Sequence, residues 1–310
     1  MIKNEQQLGV FYAAFSYFLW GILPIYWKLL GHVKAHEILA NRIFWSFIFM
    51  LAVLLLTNKW KAFTVTVRAL TANKKQFMAL GAASLLISVN WFLYIWAVNH
   101  GQIIETSLGY YINPIVSVLL GMIVLKERLS IAQYFSFLLA FVGVLILTLS
   151  YGRFPWIAIM LALTFGLYGL AKKLIIVDSA IGLTLETMAV TPLALIYSGY
   201  LIIRGESAFL NGSLPTDFLL IGAGAATAIP LFYFAKGAQK IPLSMLGFIQ
   251  YIAPTITLIL GIFVYGEQFT KLHLLSFTFI WAALTIYSVS RTKLAAALEL
   301  KLKRGKGMEV

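Results

Sequence analysis

The chain contains no cysteine. That absence excludes disulfides, Cys-ligated zinc, iron–sulfur clusters and thiol nucleophiles. Charge is also scarce: Asp, Glu, Lys and Arg make up 11% of the 310 residues, less than half of the roughly 25% usual in soluble domains. The scarcity is uneven, with 11 acids against 24 bases. The four histidines, His32, His36, His100 and His273, are scattered, and only His32/His36 have helical ligand spacing, so no metal site is expected. No HExxH, no GxSxG and no paired Asp falls within an apolar run, which leaves a poor inventory for an enzyme. No clear nucleotide-binding loop is visible either, so neither ATP as direct driver nor any other cofactor is expected.

What the chain has instead is apolar residues, 61% of the total, against roughly 45–50% in a soluble globular protein. No soluble domain of this size hides that much apolar surface, so the solvent must be lipid. A span needs about 20 mostly apolar residues. Such runs lie near 8–30, 36–57, 76–97, 102–125, 131–150, 154–175, 181–203, 216–236, 242–264 and 271–290. The first, Leu8 to Leu30, is too long for a signal peptide and no small-x-small cleavage site follows it. Most connections are short. The exceptions are 58–75, which is basic, and 204–215, which contains Gly, Ser, Asn and Pro. No segment is left over for a soluble domain or a scaffold tail.

Lysine and arginine set the expected orientation. With the N-terminus inside, the inner connections and ends hold eighteen bases, among them Lys59, Lys61, Arg68, Lys74, Lys75, Lys126, Arg128 and the tail from Arg291. The outer ones hold four: Lys34, Arg153, Arg204 and Lys271. This asymmetry places both termini in the cytoplasm, in a multi-pass plasma-membrane protein of the bacterial inner-membrane type. The net charge of +13 follows the same gaps between spans, so it points to membrane lipid and not to nucleic acid.

The chain also repeats itself. Displaced by 140 residues, Tyr111, Pro114, Gly121 and Glu127 fall on Tyr251, Pro254, Gly261 and Glu267. An offset of 145 places Gly21 on Gly166 and Lys28 on Lys173. Spans one to five thus match spans six to ten. Five is odd, so the second half enters from the opposite side, an inverted repeat of the kind transporters use around a central site.

The stretch NWFLYIWAVNHGQIIETSLGYYINPIVSVLLGMIVLKERLS, Asn90 to Ser130, resembles the RarD branch of the EamA group in the drug/metabolite transporter superfamily. The segment EILANRIFWS, Glu37 to Ser46, is similar to it as well, although Asn41 stands where a His before Arg42 is expected. The resemblance covers nearly the whole chain. It implies an all-α integral membrane fold of ten transmembrane helices, arranged as two inverted five-helix EamA repeats, 1–150 and 151–310, the latter ending in a basic tail. It also implies a central cavity lined by spans one to four and six to nine. The fifth and tenth spans are then peripheral and able to help form a homodimer. The name RarD has been attached to chloramphenicol sensitivity, which points weakly to substrate.

Ionisable groups within spans cost roughly 2.5–3.5 kcal/mol each at mid-helix, so the few present are informative. Arg42, Glu105, Asn90, Tyr94 and Lys28 lie at similar depth toward the outer side of the first half. Arg42 presents a guanidinium fork suited to a carboxylate or phosphate, and either binds an anionic substrate group or pairs with Glu105. Lys173 matches Lys28 and Glu186 matches Asn41. The expectation is that Arg42/Glu105 closes the outside and Lys173/Glu186 closes the inside. Trp91, Tyr94, Tyr110 and Tyr251 are expected cavity aromatics. Asn113–Pro114 and Ala253–Pro254 mark helix interruptions at the cavity. The expected function is secondary transport of a small organic metabolite or drug by alternating access. An intramembrane enzyme and a non-transporting scaffold are the alternatives. Substrate, direction and coupling are not legible.

Overall fold

The computed structural model describes residues 2–266 and 270–290; Glu267 and the basic tail from Arg291 lie outside them. Ten helices are long and apolar enough to cross a membrane. They are α1 (Ile2–Leu29), α2 (Ala35–Leu56), α4 (Lys74–Asn99), α5 (Ile103–Ile123), α6 (Ile131–Ser150), α7 (Trp156–Leu174), α8 (Ser179–Ile203), α9 (Leu214–Lys240), the pair α10 (Leu243–Gln250) and α11 (Ile252–Phe263), and α12 (Lys271–Ser290). The expected spans match these within a few residues at most ends. The basic connection 58–75 is a correction, because a further helix, α3 (Trp60–Ala72), occupies most of it. Its Phe63 and Leu70 are buried against the bundle while Trp60 and Val65 stay exposed. Short apolar intervals between polar ones give the amphipathic pattern of a helix lying along a membrane surface.

The face that carries the start of α1 and the 57–73, 124–130, 175–178 and 241–242 connections is called the N face below. The other is the distal face.

The two halves interlock. Helix α1 packs on α9 and α11, α2 on α8 and α9, α5 on α7 and α10, and α4 on α7 and α8. These pairings exchange under the repeat: α5 with α7 in one sense corresponds to the ninth span with α1 in the other. Helices α6 and α12 pack on each other at one side of the bundle.

The proline expectation divides. Helix α5 runs through Pro114 without interruption, whereas the ninth span breaks at Tyr251, between α10 and α11. Pro254 has no N–H to give to the Gln250 carbonyl four residues earlier, so the chain turns one residue later.

Close contacts are made by small residues. A Cβ on Gly224 of α9 would collide with the Trp45 carbonyl carbon and lie 2.6 Å from the Ser46 nitrogen of α2. Ser46 Oγ donates to the Gly224 carbonyl at 3.0 Å across the same contact.

Polar caps tie the ends. Glu127 accepts from the Leu243 and Ser244 amides at 2.7 and 2.9 Å, capping α10 from the connection after α5. Glu37 does the same for the loop after α8, accepting from Ser207 Oγ and the Ala208 and Phe209 amides. Asp178 caps α8 and pairs with Lys59 at 2.6 Å, joining the entry of α3 to that of α8. Partial burial pushes the Asp178 carboxyl up, but the Lys59 ammonium and the Ala180 and Ile181 amides outweigh it and hold it below its usual value.

Gly224→Val should overpack the α2–α9 contact and cost about 1–3 kcal/mol, read as thermal unfolding in detergent, while Gly81→Ala, which meets nothing within 4 Å, should be neutral. A depressed carboxylate stabilises above its unfolded pKa and loses that contribution as pH falls through the folded one. The melting difference between wild type and Lys59→Ala should therefore be full at pH 7 and shrink progressively as pH falls below about 4.

Candidate functional site

Helix α2 brings Arg42 to the centre of the bundle. The α2–α9 contact at Gly224 sets α9 close enough for the guanidinium to reach along it, and Arg42 Nε donates to Thr227 Oγ1 at 2.9 Å. Two indoles flank the cation, with the Trp27 and Trp91 ring centroids 4.7 and 5.6 Å from the guanidinium carbon. Such faces attract a cation through the ring quadrupole. The tyrosines Tyr94 and Tyr110 complete the wall, their rings 6.3 Å apart and both close to the Arg42 charge. Tyr110 remains 53% exposed. Among the described residues no carboxylate lies within 4 Å of Arg42.

The α5 helix continues the wall toward the N face. At 100° per residue, Tyr110, Asn113 and Ser117 share one side. Ser117 Oγ meets Gln250 Oε1 of α10 at 3.5 Å. Asn113 is 5% exposed, and its Oδ1 has no hydrogen-bond partner. A buried acceptor of this kind is costly unless something donates to it.

Below this level the interior is sealed toward the N face. Trp20, Phe165, Phe234 and Tyr168 form a continuous aromatic cluster with centroids 5.3 to 5.8 Å apart. Beneath it Lys172 Nζ and Glu186 Oε1 make an ion pair at 2.5 Å, each side chain 2% exposed. Tyr168 donates its hydroxyl to Glu186 Oε2 at 3.1 Å. A void of only about 10 Å³, lined by Trp91, Tyr168, Glu186 and Leu231 among others, lies between this pair and the Arg42 level. A larger groove of about 550 Å³ between α5, α6 and α7 is apolar, with Arg153 at one end, and its exposed Leu149 and Phe154 turn it away from the interior.

The structure brings Arg42, Trp91, Tyr94 and Tyr110 together and places Asn113 on the same lining. It separates the other expected residues. Glu105 does not pair with Arg42. It accepts from Tyr151 Oη at 2.8 Å and the Ile157 amide at 3.0 Å, with Arg153 at 3.9 Å, so it fastens the distal ends of α5, α6 and α7. The Asn90 amide donates to the Leu161 carbonyl and Thr164 Oγ1 and pins α4 to α7. Lys28 sits exposed at the distal end, over the Tyr265 ring at 3.6 Å. Tyr251 is buried at the α10–α11 break, its hydroxyl on the Tyr111 carbonyl at 3.4 Å. Lys173 donates to the Ile241 carbonyl at 2.5 Å, and the partner of Glu186 is its neighbour Lys172. Sequence reasoning missed Trp27 and Thr227. Thr227 had a signal, as a lone hydroxyl within the small-residue run GAGAATAIP of the eighth span.

Glu186→Gln or Lys172→Gln alone should cost about 3–5 kcal/mol, since either leaves a buried charge uncompensated. Replacing both by leucine should cost much less, and a double-mutant cycle on chemical unfolding measures the coupling.

Comparison with known proteins agrees with this architecture. A model of the EamA-like transporter family matches residues 7–149. The chain is 49% identical over 294 residues to the "Uncharacterized transporter YojE" of Bacillus subtilis, covering 94% of this chain and 97% of that one. It is 39% identical over 287 residues to "Protein RarD" of Escherichia coli, covering 93% and 96%. The "Chloramphenicol-sensitive protein RarD" of Pseudomonas aeruginosa is 25% identical over 279 residues, covering 90% and 92%. A solved crystal structure at 16% identity superposes with a TM-score of 0.69 over 94% of this chain and all of that chain, which shows the fold. Ten apolar helices in two inverted repeats, with relatives at this identity over nearly the full length, make the chain a member of the RarD branch of the EamA group, within the drug/metabolite transporter superfamily.

Proposed function

We propose that the protein is a secondary transporter that moves a small organic anion by alternating access through the interior around Arg42. The observation that carries this reading is the unbalanced guanidinium: a cation within a membrane-spanning helix, held by a hydroxyl and two indoles, with no carboxylate among the described residues beside it. Intramembrane cations are rare, and they mark binding sites and permeation paths. The aromatic cluster and the Lys172–Glu186 pair beneath it serve as the closed barrier toward the N face, while the exposed Tyr110 belongs to the open side.

The basic connections at the N face make that face cytoplasmic, in an inner-membrane protein with both termini inside. The repeats are residues 1–150 and 151–310. Helices α6 and α12 stand apart from the interior and present exposed apolar faces, including Phe135, Leu138 and Leu275, to lipid or to a second copy. The transporter names of the relatives support a carrier over an enzyme. The name of the Pseudomonas relative brings amphenicols into the set of compounds to test.

The test is thermal stability of the purified protein against organic acids, amphenicols and neutral analogues. A ligand at a hundredfold excess over its Kd stabilises the folded state by about 2.7 kcal/mol. Acids should raise the melting point of wild type and fail to do so in Arg42→Ala. A rise that survives Arg42→Ala removes Arg42 from the binding site.

A further inference from the structure

Two charged centres of the interior, Arg42 and the Lys172–Glu186 pair, differ in how their charge is balanced. Lys172 and Glu186 neutralise each other at 2.5 Å in a sealed setting. Among the described residues the neighbours of Arg42 are neutral: Thr227, Trp27, Trp91, Tyr94 and Tyr110. The repeat sharpens the contrast. At the 145-residue offset Trp27 falls on Lys172 and Asn41 on Glu186. Where the second half has a complete ion pair, the first half has an indole and an amide, with Arg42 one residue further on.

This difference has a physical consequence when the two sides close. A side that closes over a matched pair takes no net charge out of water. A side that closes over a lone guanidinium takes one, and that is strongly unfavourable unless a counter-charge comes with it. Cation–π contact with two indoles offsets only part of the lost hydration.

We infer that the cargo supplies the missing charge, and that the distal side closes over Arg42 only when a small organic monocarboxylate is bound there. The inference rests on the alternating-access reading given above. The chemistry of the ligand follows from the geometry. Thr227 occupies Nε, which leaves the two terminal guanidinium nitrogens for an end-on carboxylate. The flanking indoles fit a planar or apolar body on that carboxylate. A dianionic phosphate would bring a second charge for which no free cation among the described residues is near, since Lys172 is paired and Lys28 lies over Tyr265 at the distal end. An empty carrier then stays open on the distal side, because its occluded form would hold Arg42 alone. Each crossing, in either direction, carries an anion. Transport is anion-for-anion exchange, and net flux of the empty carrier is slow.

The absence of cysteine makes the test clean, because spin labels attach only where a cysteine is introduced. Label pairs at Leu29→Cys/Ile104→Cys on the distal face and Leu56→Cys/Ile176→Cys on the N face, all at exposed positions, report the two sides in full-length protein in lipid nanodiscs. The decisive variant is Thr227→Asp, which builds a counter-charge beside Arg42, against Thr227→Asn, which does not. With no organic acid added, Thr227→Asp should raise the distal closed-to-open ratio about tenfold over Thr227→Asn. Benzoate should close the distal side of wild type, and benzamide should not. Tyr110→Glu against Tyr110→Gln repeats the comparison at an exposed position, in case the Thr227 variants fold poorly. Equal distance distributions for the Asp and Asn variants, and for the Glu and Gln variants, overturn the inference. Glu186→Gln, which breaks the N-face pair, separates this from a failure of the transport reading. If it opens the N face while the counter-charge variants do nothing, alternating access stands and the counter-charge inference falls. If no variant moves either label pair, the transport reading falls with it.

Discussion

The contact between α2 and α9 is the constraint on which the interior depends. Only a residue without a side chain lets the backbone of α9 at Gly224 meet α2 at Trp45 and Ser46. The Ser46 hydroxyl fastens the contact to the Gly224 carbonyl. With the two helices held there, Arg42 lies along α9 and its Nε finds Thr227, one turn beyond the glycine. The indoles of α1 and α4 then close on the cation from either side. Apolar packing alone gives a guanidinium no direction, so the hydroxyl and the two indoles set where it points.

From this point the bundle reads as a graded medium. Toward the distal face the lining is polar and partly exposed, with the rings of Tyr94 and Tyr110 side by side. Across the middle it becomes aromatic, and at the N face it is a dry ion pair capped by Tyr168. The same sequence positions serve both ends through the inverted repeat, yet the chemistry placed on them differs. Symmetry of fold and asymmetry of charge coexist because the backbone repeat is fixed by hydrophobic length and small-residue contacts, while individual interior side chains are free to diverge.

The spans were legible because the hydrophobic requirement of a bilayer is long-range and redundant: losing one apolar residue from twenty does not hide a helix. The repeat was legible from the Tyr–Pro–Gly–Glu register. Arg42 was legible as an interior cation, since its cost demanded a reason. What failed was azimuth. Glu105 and Arg42 share a depth, but Glu105 is five residues from Tyr110 on α5, about 140° around the helix, and points at α6 and α7 instead. The same error exchanged Lys173 for Lys172, adjacent residues about 100° apart. Matching Lys28 with Lys173 by identity chose the wrong one of the two. The α3 helix was hidden by its basic residues, which read as a connection although Phe63 and Leu70 already marked a buried side.

The interlocking of the halves also bears on how the chain is made. Helices α1, α2 and α5 find their main partners in α7, α8, α9 and the ninth span, all of which leave the ribosome later. At roughly 5–20 residues per second, the first half waits on the order of ten seconds in the bilayer before those partners exist. During that wait the small-residue faces and Arg42 have only lipid, water defects or the insertion machinery for company. A nascent chain of this design depends on its insertase as a holding chaperone, and stalled or truncated synthesis should yield a fragment that is inserted but unfolded, a natural target for membrane proteases.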